Sequence, residues 1–116
     1  MKRVRTWTLR FRKVDRAHFE EIRGGKKSIE TRAATPKYAA IATGDRLRFV
    51  CGKREVTKRI MKRHHFKSPA AMLRKLPLKR IAPHLETPAE LGAMYATYPS
   101  YPAKIKRYGL FAFELK

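Results

Sequence analysis

Gly24-Gly25-Lys26-Lys27-Ser28-Ile29-Glu30-Thr31-Arg32 sits at the junction from which the rest of the chain reads outward. The two glycines end one element, because they accept positive φ and let a ligand approach the backbone closely. Alternation along the strand that follows puts Ser28, Glu30 and Arg32 on one side and Ile29 and Thr31 on the other. A polar side chain in a core is costly, so three on one face point to a lined cavity.

Upstream, Thr6 to Arg12 alternates strictly, with Trp7, Leu9 and Phe11 on the apolar face, as in a half-buried strand. Asp15 is placed to cap a short helix, with Val14 and Phe19 as a hydrophobic staple, Ile22 on the apolar stripe and Gly24 as the stop. Downstream of Pro36, Gly44-Asp45 turns the chain into Arg46–Cys51, again alternating, with Leu47, Phe49 and Cys51 inward. Residues 53–66 suit a helix through Val56 and Ile60, or a strand with a bulge; the neighbouring strand signals favour the strand. Ser68-Pro69 starts a short helix over Ala70 to Leu76 that Pro77 stops. Thr87-Pro88-Ala89-Glu90 is a capping box, followed by Leu91, Met94, Tyr95 and Tyr98 at helical spacing. The segment Tyr98-Pro99-Ser100-Tyr101-Pro102 breaks that helix, and Tyr108 to Leu115 closes the chain as an apolar strand. Strands without long helical crossovers predict an α+β fold, mainly β: a small antiparallel barrel with short helices at its rim, in one domain over 1–116.

The charge narrows the partners. The chain carries 29 Lys+Arg against 9 Asp+Glu, a formal net charge of +20, while its 43% hydrophobic content is that of a folded protein. Such an imbalance favours polyanions: RNA or another nucleic acid first, an anionic membrane surface second, with a merely solvating surface third. Between Lys53 and Lys67 stand seven Lys/Arg and two histidines. Lys58, Arg59, Lys62 and Arg63 read as a phosphate-tracking surface, or more simply as a solvated strand face. Tyr101 and Tyr38 fall in expected loops and are candidate stacking platforms. Cys51 is alone, so a disulfide within the chain is excluded; it reads as a small core residue in a reducing, cytoplasmic setting. The basic start Met1-Lys2-Arg3-Val4-Arg5 is followed by no apolar run of signal or membrane-spanning length, so no membrane partner is expected. His64 and His65 are adjacent and would point apart on a strand, so neither a metal nor a cofactor is expected from them.

Phe19 to Arg32, then Gly44-Asp45-Arg46-Leu47-Arg48-Phe49, Tyr98-Pro99 and Gly109 to Leu115, taken in order, resemble the activating-signal-cointegrator homology (ASCH) domain. Gly25, Lys27, Glu30 and Arg32 satisfy the spacing of its G-x-K-x-x-E-x-R signature. The resemblance implies a barrel of the PUA-like type with a cleft between barrel and helices. It also implies RNA binding or, in some members, hydrolysis of acetylated cytidine or ribonuclease activity. By position, Lys27, Glu30 and Arg32 would line the cleft with Gly25 and Ser28 beside them, taking a nucleoside or nucleotide. In the amidohydrolase branch the position matching Glu30 is a threonine proposed as nucleophile, and Glu86 is the nearest candidate for that branch's partner glutamate. An enzyme would therefore use Lys27 with Glu30 or Glu86.

The chemistry of the three residues leaves two outcomes. If burial outweighs the carboxylate, Lys27 loses its proton easily and acts as base or nucleophile; if the carboxylate prevails, both stay charged as a clamp. Arg32 favours the clamp, since its guanidinium keeps Glu30 ionised and pairs bidentately with carboxylates or phosphates. A purely structural ion pair at the barrel mouth has the same sequence signature.

Overall fold

β4 (Arg54–Phe66) belongs to both halves of the sheet. Its residues 54–59 pair antiparallel with β3 (Arg46–Cys51), and the rest pairs antiparallel with β5 (Leu110–Leu115). The register shifts between Ile60 and Lys62, a bulge that bends β4 and curls the sheet. β2 (Ile29–Ala33) adds antiparallel to β5, and β1 (Thr6–Arg10) adds parallel to β3, giving the order β1-β3-β4-β5-β2. This computed structural model describes residues 3–116; Met1 and Lys2, the start of the basic segment, lie outside them.

The fold is the expected strand-rich α+β class, as a five-stranded, curled half-barrel with short helices. One pairing differs from the antiparallel expectation. After β1 the chain crosses through α1 (Arg16–Arg23) and β2, on the opposite edge, before returning to β3, and so large a crossover lets β3 lie parallel to β1. β1 and β2 are consequently the two edges of an incompletely closed barrel.

β5 is buried on both faces. Phe111, Phe113 and Leu115 pack inside the half-barrel with Leu47, Phe49 and Ile60, and Phe19 and Ile22 of α1 join them. Leu110 and Ala112 face the other way, against Met72, Ile81, Leu91 and Ile105. Those residues come from α2 (Pro69–Leu73), α3 (Leu78–Ile81), α4 (Pro88–Ala96) and α5 (Tyr101–Tyr108). Each fully buried large apolar side chain stabilises by about 1.5–3 kcal/mol, so the two layers hold each other through β5.

Several local expectations hold. Ser68 Oγ accepts from Ala71 N–H at 3.1 Å, and Thr87 and Glu90 form both halves of the capping box. Residues 54–66 are strand throughout, and Cys51 is a buried free thiol. Others are corrected. Asp15 makes no capping bond; its carboxylate is held 2.7 Å from Arg12 Nε, and Val14 is 78% exposed, so the staple is not made. α2 ends at Leu73 rather than Leu76, Pro77 caps the start of α3 rather than stopping α2, and the Tyr98–Pro102 break is only a corner, after which α5 begins. Ser100 turns that corner at φ 60°, and Pro102 falls in the first helical turn, where a missing N–H costs little. Tyr101 is thus helical rather than in a loop. Gly109 joins α5 to β5 at φ 84°, and a Cβ there would stand 2.3 Å from Phe66 O, so no other residue fits. Among the described residues no helix is long and apolar enough to cross a membrane.

Candidate functional site

The barrel fails to close between β1 and β2, and a cavity of about 210 Å³ lies at that opening. The end of β1 supplies Arg10, with Phe11 and Arg12 just beyond it; β2 supplies Glu30, Thr31 and Arg32; the α4–α5 corner supplies Tyr98 and Tyr101. The Arg32 guanidinium bridges the edges, 5.7 Å from the Phe11 ring centroid and 5.9 Å from that of Tyr38. Tyr98 and Tyr101 meet edge to face at 5.1 Å, and Arg12 stands 5.5 Å from the Tyr98 ring.

Lys27 reaches the cavity because α1 ends tightly. Gly25 takes φ 85°, its N–H reaches Ile22 O at 3.1 Å, and Lys27 N–H closes on Glu21 O at 2.9 Å. The side chain is thereby turned inward and left 5% exposed. Its Nζ donates to Ile29 O at 2.8 Å and to Ile81 O, and lies 3.6 Å from Glu30 Oε1. Two carbonyls thus take hydrogen bonds from Nζ, and the Glu30 carboxylate stands beyond them at ion-pair distance.

Glu30 is equally enclosed. Oε1 accepts from Thr31 N–H at 2.9 Å, and Oε2 lies 3.4 Å from Arg32 Nη2. Burial alone would raise its pKa, but Lys27, Arg32 and the Thr31 N–H together hold it below the ordinary 4.5. Burial pushes Lys27 below its ordinary value against the pull of Glu30, and Glu30 holds Arg32 above its own despite burial. Glu30 is therefore an ionised acceptor, and the loose 3.4 Å contact leaves Arg32 with donors to offer. Burial pushes Tyr98 up to about 12 and raises Tyr101, so both hydroxyls stay protonated. Thr31 Oγ1 and Tyr95 Oη are 2.6 Å apart, which fixes the outer face of β2 to α4.

The structure brings Lys27, Glu30, Arg32 and Tyr101 together and separates the other expected residues from them. Gly25 shapes the approach but does not line the cavity. Ser28 Oγ accepts from Arg80 Nε at 2.8 Å, and its N–H reaches Arg80 O at 3.0 Å; it secures β2 to α3. Glu86 pairs with Lys79 at 2.8 Å in an exposed loop and contributes nothing to the cavity lining. Lys58, Arg59 and Lys62 lie on β4, partly or fully exposed, and make no ion pair among the described residues. Arg59 faces Arg46 directly across the β3–β4 ladder, both exposed, a like-charge placement that costs stability. Arg63, expected with them, is turned to the sheet's inner face. It donates to Ala39 O and Ile41 O at 2.9 Å each and stands 4.6 Å from the Phe111 ring centroid.

His64 and His65 are committed separately, as their adjacency predicts: His64 Nε2 lies 2.7 Å from Glu114 Oε2, and His65 Nε2 2.8 Å from Tyr108 O. Among the described residues, those that can gather around a metal ion are instead His18, Glu21 and His84. Sequence reasoning missed them because His84 is 63 positions from Glu21. It also missed Arg10, Arg12 and Phe11, since alternation alone does not say that β1 ends at an unclosed edge.

No protein-family model matches the sequence, and no curated protein does. Solved structures share the fold, two of them over nearly the whole chain. The crystal structure of hypothetical protein PH0355 is 25% identical, with a TM-score of 0.82 over 96% of this chain and 97% of that one. The solution structure of protein PF0455 from Pyrococcus furiosus is 27% identical, with a TM-score of 0.72 over 96% of each chain.

Proposed function

We propose that this protein is an RNA-binding domain of the ASCH, PUA-like kind that captures one unstacked nucleotide in the cavity between β1 and β2. The observation that carries the reading is the cavity's composition: aromatic rings, an ionised acceptor and guanidinium donors converge on a space the size of one ring system. Tyr98, Tyr101 and Phe11 offer faces or edges to a base, and stacking of this sort contributes about 1–3 kcal/mol per base. Glu30 has lone pairs left for the N–H edge of a base, while Arg32, with Arg10 and Arg12 at the rim, suits phosphate. Lys58, Arg59 and Lys62 extend the electrostatic field along β4 and attract the backbone without reading sequence.

Hydrolysis of an acetylated-cytidine-type nucleoside, or of RNA, is the alternative the same resemblance offers. It needs Lys27 as a free amine with Glu30 or Glu86 as acid or base. Lys27 is already committed to two carbonyls beside the Glu30 carboxylate, and Glu86 is paired elsewhere, which favours capture over turnover.

Fluorescence anisotropy with a labelled single-stranded oligoribonucleotide, stepped through salt, tests the reading. Binding should weaken steeply with salt, mononucleotides should compete, and Arg32→Ala should abolish that competition. Mononucleotides that never compete would refute capture in the cavity. Incubation with acetylcytidine followed by mass spectrometry examines the enzymatic alternative; a product lost in Lys27→Ala would establish it instead.

A further inference from the structure

We infer that His18, Glu21 and His84 form a binding site for one divalent transition-metal ion of the zinc class. His18 and Glu21 are one turn apart on α1, and His84 comes from the segment after α3, so two separate elements converge on the spot. The Glu21 carboxylate lies between the imidazoles, with Oε1 3.5 Å from His18 Nδ1 and Oε2 3.3 Å from His84 Nδ1. One donor atom from each residue falls within 4.8 Å of the others. Ligands about 2.0–2.1 Å from a tetrahedral zinc ion stand about 3.3–3.4 Å from one another, and the two imidazole-to-carboxylate separations, each to a different carboxylate oxygen, are 3.5 and 3.3 Å.

Two independent features distinguish this group from a surface ion pair. Glu21 Oε1 is buried and accepts no hydrogen bond, a loss that a cation would offset. The imidazole rings lie 5.0 Å apart at 46°, both beside the carboxylate, which is a neutral-nitrogen and oxygen donor set suited to zinc. Lys27 is the nearby positive charge, and Glu30 at 3.6 Å offsets it.

The position also links the metal to the cavity. His18 lines the same cavity as Lys27 and Arg32, while Glu21 and His84 lie outside its lining, so the ion would sit beside the cavity and touch it through His18. Three protein ligands leave at least one coordination position for water or for an oxygen of the cavity's ligand, unlike the four-ligand closure of a structural zinc site. The site does not depend on the cavity's ligand being RNA.

The full chain, stripped with a chelator and titrated with Zn²⁺ by calorimetry, should bind one equivalent. Co²⁺ in its place should give visible d–d absorption. His84→Ala, at a side chain 41% exposed, should keep the fold by circular dichroism and weaken Zn²⁺ binding by about tenfold or more. His18→Ala should act likewise, and His65→Ala should leave binding unchanged. Zn²⁺ binding that is absent or not saturable at one equivalent overturns the site, and so does binding equally tight in His84→Ala. An equal loss in His65→Ala would place the ion elsewhere and overturn it as well.

Discussion

Two groups of cations in this molecule have similar sequence signatures and opposite physical situations. At the cavity, Lys27 and Arg32 are largely shielded from water, each tied to Glu30, and Lys27 also to two carbonyls. On β4, Lys58, Arg59 and Lys62 stand partly or wholly in solvent with no carboxylate partner among the described residues. A charge in the first group depends on its neighbours and is specific in direction. A charge in the second is screened, interchangeable and additive. Net charge alone therefore bears on the proposed attraction of polyanions to β4 and carries no information about the cavity.

The largest effect should come from removing the carboxylate at the centre of the cavity. Glu30→Gln strands two buried cations and should cost about 3–5 kcal/mol in urea denaturation. The same variant tests the pH behaviour. Because Glu30 has a folded-state pKa below 4.5, its stabilisation is fully present above that value and lost as pH falls through the folded-state pKa. Wild-type stability should drop on acidification in that range, and Glu30→Gln should flatten the drop. A wild-type profile already flat would mean that the cluster is not ionised as described.

Arg63 crosses the boundary between the two groups, since it lies in the basic run yet points inward. Arg63→Ala removes an exposed bond to Ala39 O and a part-buried bond to Ile41 O and should cost about 1 kcal/mol of stability, with the salt dependence of RNA binding unchanged. A shallower salt slope at full stability would return Arg63 to the phosphate surface. Tyr101→Leu should weaken oligonucleotide binding by about 1–3 kcal/mol at every salt concentration, again without altering the slope. Replacing Lys58, Arg59 and Lys62 together by glutamine should do the reverse. Stability should stay within about 0.5 kcal/mol per site, and the slope of log affinity against log salt should fall by about 2 for a single strand. An unchanged slope would remove β4 from the interface.

The core of the fold was legible where a local signal had one physical interpretation. Trp7 and Leu9, Leu47 and Phe49, and the capping box at Thr87 each specify a face or a terminus without reference to distant residues. The signals that failed were ambiguous locally. Pro77 and Pro102 end helices or start them depending on which side of the ring the helix lies, and only packing of Ile81 and Ile105 against β5 decides. Val14 fits the staple pattern, but its partner Phe19 is buried in the half-barrel while Val14 itself stays in solvent.

For the site, alternation in Ile29–Ala33 was enough to place Glu30 and Arg32 on one face, and the G-x-K-x-x-E-x-R resemblance placed Lys27 with them; the structure shows that Gly25 makes the turn. The shared face follows from backbone geometry over a few residues. What the sequence could not provide is the other wall. Phe11 meets Arg32, and Arg12 meets Tyr98, only because the sheet curls at the β4 bulge and stops short of closing, and His84 reaches Glu21 only because α3 clamps the start of β2. These are consequences of long-range strand order and helix docking, in which the free energy lies in contacts between residues far apart in the chain. Sequence determined which charges share a strand face; tertiary structure decided which of them share a cavity.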